Sequence, residues 1–233
     1  MKLLKLLIIA IVGIGFLSAQ QMQMKKMHMP KDFRAVPFQK AQILQSGKAK
    51  MFCPKCGMTL PMFYRTNHAA KVDGKMQQFC SMYCLVEAIN SGAKVEDIKV
   101  VDNSTLKFID ANKAYYVVGS SKPATMAKKI SKYAFGTKEA AYNFAKKFGG
   151  KVMSFQEALE IAKKDFKSDS QAKKMRQAKM AKMGEKIYNK KCKKIDIKFT
   201  SPAQAKAYIK SNKICGDIKG KPLQAVGLYL ISR

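Results

Sequence analysis

Four of the six cysteines fall between positions 53 and 84, as the pairs Cys53-Pro-Lys-Cys56 and Cys80-Ser-Met-Tyr-Cys84, with 23 residues between the pairs. A tight turn lets both sulfurs of one pair face a single ion, so two such pairs form a recurrent metal-knuckle pattern. A disulfide framework and a thiol redox centre use the same residues. The redox reading, a thiol-disulfide oxidoreductase working through Cys53 and Cys56, is weakened by the residues just after the motif. Such motifs open a helix, and here Gly57 and Pro61 break one.

The remaining composition sets the compartment and the partners. Lys and Arg outnumber Asp and Glu 45 to 15, a formal charge of +30, which points to an acidic protein, nucleic acid or anionic lipid. The start of the chain decides among these. Met1-Lys2-Leu3-Leu4-Lys5 precedes an uncharged apolar run from Leu6 to Leu17, and Ser18-Ala19 supplies small residues at a cleavage point. That run is shorter than the roughly 20 residues a span needs, so residues 1–19 read as a secretory signal peptide. The expectation is an exported, periplasmic protein, or one held by its uncleaved signal as an anchor. Export argues against nucleic acid and leaves an acidic protein or an anionic membrane surface as the partner.

Residues 20–50 read as a flexible tail. Met22, Met24, Met27, His28 and Met29 crowd its first part without helical spacing; such thioethers with an imidazole suit capture of soft Cu(I), and an incidental tail is the equal alternative. From residue 51 the pattern becomes α+β. A cysteine turn is followed by a strand over Leu60–Tyr64. Asp73-Gly74 marks a hairpin, Ser81 an N-cap, and Ile98–Val101 and Thr105–Ile109 paired strands. Thr137 caps a further helix, and Ser154 with Glu157 makes a capping box for the next. Phe79-Cys-Ser81, a helix, then Gly92-Ala-Lys94-Val95 parallels Phe135-Gly-Thr137, a helix, then Gly149-Gly-Lys151-Val152. Two related strand-helix-strand units packed as one domain, residues 51–162, are therefore expected. Cys80 and Cys84 fall opposite Gly136 and Ala140, so the unit folds without them, which favours chemistry over scaffolding.

A basic, mostly helical C-terminal extension completes the chain. Residues 163–183 read as a basic helix or linker, and 184–233 as a small helical tail. Cys192 and Cys215 can bridge a loop of roughly 20 residues, adding about 3 kcal/mol to a unit too small to hold itself together. Gly184 to Cys192 and Leu223 to Leu230 resemble the first and last helices of small c-type cytochromes. The C-x-x-C-H haem attachment is absent, because Cys192 is followed by Lys-Lys-Ile-Asp.

Taken with these motifs, residues 51 to about 162 resemble the NosL family, exported copper chaperones associated with maturation of nitrous oxide reductase. The resemblance rests on Cys53-Pro-Lys-Cys56-Gly-Met58, Phe79-Cys-Ser-Met-Tyr-Cys84-Leu85, Tyr115 to Ser120 with Pro123-Ala-Thr-Met126, Ala134 to Ala141 and Phe148 to Val152. It implies a small α+β domain with Cu(I) held by Cys56, Met58 and Met126. The chain departs from the family in lacking a lipid-acceptor cysteine after the apolar run and in carrying the basic tail.

These readings converge on a binding protein. No nucleophile, base and orienting group stand together, and His68, near a turn, reads as a surface residue. A copper chaperone gives roles to the cysteines and methionines alike, with Cys53, Cys80 and Cys84 as further ligands and a copper enzyme or its maturation machinery as recipient. A homodimer is compatible with it. The alternative is a structural zinc module with four cysteine ligands, which leaves Met58 and Met126 idle.

Overall fold

The computed structural model describes residues 32–127 and 130–233. The signal segment and Met22, Met24, Met27, His28 and Met29 lie outside the described residues.

Two units of the same topology make the first domain. Strands β1 (His68–Val72) and β2 (Lys75–Phe79) are joined through Asp73 and Gly74, at φ 48° and 78°, the positive values a two-residue hairpin turn demands. Helix α1 (Met82–Ile89) then leads to β3 (Val95–Val101), which returns to the other side of β1, and β4 (Phe108–Asp110) pairs with β3. The sheet order is β2-β1-β3-β4. The second unit repeats the scheme with β5 (Tyr115–Val118), β6 (Lys132–Phe135), α2 (Lys138–Phe148) and β7 (Lys151–Met153), in the order β6-β5-β7. The expected strand-helix-strand repeat is thus the end of a longer one, strand-strand-helix-strand, with the first strand central each time. A bridge between Asp102 and Ala134 couples the two sheets.

One expected strand is absent. Leu60–Thr66 is a short 3-10 helix, not the strand read over Leu60–Tyr64. Pro61 lacks the N–H that a strand ladder needs, whereas in the first turn of a helix that donor would go unused anyway.

Helix α3 (Phe155–Lys191) opens with the Ser154–Glu157 capping box and continues for 37 residues. The boundaries drawn at 162/163 and 183/184 both fall inside it. Its Ala, Lys, Gln, Met and Arg residues are strong helix formers, and no proline interrupts it. It is not solvated all round, since Ala172, Lys173, Gly184 and Tyr188 are buried. Helices α4 (Pro202–Ser211) and α5 (Gly220–Ser232) fold back on its second half, and a Cys192–Cys215 disulfide ties the end of α3 to the α4–α5 connection.

Two apolar cores result. The main one gathers α1, residues from both sheets, and Phe155, Ala158, Leu159 and Ala162 of α3. All four clustered cysteines are part of it. The second core joins Tyr188, Ile209, Leu223, Val226 and Leu230, and it takes in Phe52 from far upstream. Phe52 and Cys53 are neighbours in sequence yet belong to different cores. The first cysteine turn is therefore the seam between the domain and its extension.

Candidate metal centre

The first cysteine pair sits in a small knuckle. Phe52 and Thr59 bridge antiparallel, Cys53 N donates to Met58 O at 2.9 Å, and Gly57 N donates to Cys53 O at 2.8 Å. Reversing the chain in so few residues needs a left-handed residue, and Gly57, at φ +75°, supplies it. An added Cβ there would lie 2.6 Å from the Pro202 side chain. The second pair comes from the other direction. Cys80 follows β2, and Cys84 lies in the first turn of α1, where its N–H donates to the Ser81 carbonyl at 3.1 Å. Ser81 is the N-cap residue of α1, but its side chain makes no capping bond.

The four sulfurs converge. All lie within 4.8 Å of one another, with Cys56–Cys80 at 3.4 Å and Cys80–Cys84 at 3.7 Å. A tetrahedral ion at a metal–sulfur distance of about 2.3 Å requires sulfurs about 3.8 Å apart, so the cage fits one. It is closed: Cys53, Cys80 and Cys84 are 0% exposed and Cys56 1%. The four are free thiols, so neither pairing among them nor a disulfide framework exists here. Burial pushes the Cys80 and Cys84 thiols well up. Burial pushes Cys53 up too, but hydrogen bonds from Cys56, Cys80 and Cys84 outweigh it and hold this thiol well below its ordinary value.

Met58 and Met126 stand outside the cage, on a cavity of about 90 Å³ that reaches Cys56. Cys56 faces both. Met126 sits at φ +63°, uncommon for a side chain of its size, and its carbonyl accepts from Arg176 of α3 at 2.9 Å.

The extension grips the knuckle directly. Lys206 of α4, 1% exposed, donates to the Gly57 carbonyl and to Gln224 Oε1 (2.8 Å), and its Nζ lies 4.2 Å from the centre of the Phe52 ring. Gln224 of α5 donates to the Cys56 carbonyl at 2.8 Å. Burial pulls the Lys206 ammonium down to about 7, with the neighbouring Cys56 and Cys53 opposing the fall. Lys206, Gln224 and Met180, which also lines the cavity, were not singled out by sequence reasoning. The one signal for Lys206 is a lysine within the alanine-rich run Ala203 to Ala207.

His68 is neither a surface residue nor a member of the cage. It is 1% exposed in β1, with Nδ1 3.2 Å from Thr66 O and Nε2 3.2 Å from Tyr116 Oη. Its value falls from 6.5 to about 4, chiefly through burial, with the Thr66 carbonyl opposing the fall and Lys132 adding to it. A depressed folded value means that the neutral ring's contribution is complete above about pH 6.5 and is lost as pH falls toward 4. The full loss is roughly 3 kcal/mol. Urea unfolding at stepped pH is expected to show this decline in the parent and a flatter curve in His68→Gln. Identical slopes would remove His68 from the acid response.

The profile of the NosL family matches residues 45–162, half of the chain. The chain belongs to the NosL family. The matched region covers both repeat units and the start of α3, and it stops before the residues that grip the knuckle. Among solved structures, the copper chaperone NosL from Shewanella denitrificans is 27% identical, with a TM-score of 0.38, over 52% of this chain and 96% of that one. No curated protein matches the chain.

Proposed function

We propose that this NosL-family protein is an exported copper chaperone, which holds Cu(I) on Cys56, Met58 and Met126 and passes it to a recipient copper enzyme. One juxtaposition carries the reading: Cys56 belongs to the four-sulfur cage and also closes the cavity lined by Met58 and Met126. A thiolate with thioethers selects a soft ion over hard cations. Cu(I) is content with two or three sulfurs, and neutral thioethers are weak donors that a recipient can displace one at a time. Such a protein carries its metal and catalyses nothing. Nitrous oxide reductase is the recipient that the family association suggests, and the periplasm the compartment where it would be met. The excess of Lys and Arg, 45 against 15 acids, suits docking on an acidic protein or an anionic membrane face.

A second reading has its own observation. Four buried thiols within 4.8 Å of one another, with no open position, also describe a structural zinc site. The two readings part at the thioethers. Met58→Leu and Met126→Leu keep the apolar bulk and remove only the soft donor. Each is expected to weaken Cu(I) binding by about tenfold or more, since even partners one shell beyond a metal commonly contribute 10- to 100-fold. Competition with a chromophoric chelator under anaerobic conditions measures this, with circular dichroism as the folding control. Parent-like affinity in both, with zinc loss and unfolding in every Cys→Ser variant, would favour the zinc module.

A further inference from the structure

The cavity at Cys56 is not walled by the family domain alone. Met180 of α3, eighteen residues past the end of the matched region at 162, stands in its wall beside Met58 and Met126. Met180, Met58 and Gln224 also line an adjoining cavity of about 250 Å³, which continues to Met62, 41% exposed, and to Lys221. The two cavities share Met58, Met180 and Gln224 in their walls, and the smaller one brings three thioethers and Cys56 together.

The charge of the two cavities narrows what they take. None of the residues lining either cavity is acidic, while Lys173, Arg176, Lys206 and Lys221 all contribute to the walls. Lys173 is neutralised by Glu87 at 2.6 Å, and Arg176 is committed to the Met126 carbonyl. Hydrated divalent cations seek carboxylates first and find none in these walls, where Gln224 Oε1 is taken by Lys206, whereas a soft monovalent ion finds four sulfur-bearing residues in the smaller cavity, Cys56, Met58, Met126 and Met180. The Arg176 bond matters for geometry as well. It fixes the loop bearing Met126 to the helix bearing Met180, one turn further along, so the two thioethers are positioned by the same element.

We infer that Met180 is a thioether ligand of the copper at Cys56, so that the site is completed by the C-terminal extension. This rests on the copper reading and adds to it a ligand from outside the family domain. The extension then both pins the knuckle, through Lys206 and Gln224, and supplies a donor to the ion that the knuckle holds.

The test uses the full chain and Cu(I) itself. Met180→Leu is expected to lower Cu(I) affinity about tenfold or more, with one sulfur lost from the copper X-ray absorption spectrum. Met175→Leu, on the same helix but 69% exposed, is expected to match the parent. Met180→Gln keeps side-chain length without a soft donor and is expected to repeat the loss with unchanged melting. Parent affinity in Met180→Gln would make Met180 a packing residue and overturn the inference. Parent affinity in Met180→Leu would overturn it too, and the copper reading would stand if Met58→Leu and Met126→Leu were still impaired. Parent affinity in all three leucine variants would remove the copper reading with it.

Discussion

Cys56→Ser is expected to abolish tight Cu(I) binding, by well over a hundredfold, while Cys84→Ser costs far less. Both residues belong to the four-sulfur cage, but of the cage cysteines only Cys56 also lines the cavity of Met58 and Met126. A serine oxygen is a hard, protonated donor that a soft ion does not favour, so this change removes the one strong ligand that the thioethers assist. Cys84→Ser leaves Cys56 and the cavity intact and still leaves three sulfurs in the cage. Its expected cost is nearer tenfold, in line with losing a supporting partner. The measurement is chelator competition with thiol counting on each anaerobic protein. Equal losses for the two variants, accompanied by zinc release, would place the functional ion inside the closed cage instead.

Gly184→Ala is expected to destabilise the protein, although it replaces a helix-interior glycine by the best helix former. Propensity alone predicts a gain of about 1 kcal/mol. Packing opposes it: an added Cβ would sit 2.0 Å from the Ala225 carbonyl oxygen and 2.4 Å from its carbon, both backbone atoms of α5 that cannot rotate away. The helices must separate. Overpacking costs about 1–3 kcal/mol and more where backbone must move, and the α3–α5 contact is the most extensive between any two elements. A net loss of about 2 kcal/mol lowers the melting temperature by roughly 4–8 °C in a chain of this size. Because α5 carries Gln224, which holds the Cys56 carbonyl, copper affinity is expected to fall with it. Calorimetry that finds the variant melting at or above the parent would mean that the helix seam is slack and propensity wins.

These two substitutions mark the limit of what could be read from the chain alone. The sequence determined the local pieces: the Asp73-Gly74 hairpin, the Thr137 cap, the Ser154–Glu157 capping box and the internal repeat. Each arises from interactions spanning a few residues, or from a pattern that recurs. It also singled out the four cysteines that the fold gathers into one cage, since cysteine pairs at C-x2-C and C-x3-C spacing have few uses. Long-range packing decided the rest. His68 read as exposed because nothing nearby in sequence announces Tyr116, 48 residues away, whose hydroxyl meets its Nε2. Leu60–Tyr64 has the composition of a strand, but Pro61 denies it a ladder, and the segment turns as a 3-10 helix. Above all, the basic extension read as an appendage to the metal domain. Its charge and cysteines carry no trace of the Lys206 and Gln224 bonds to the knuckle, which span 149 and 168 residues of sequence. Only when α4 and α5 fold back along α3 do those side chains lose water, and their donors then find the carbonyls of Gly57 and Cys56 to replace it.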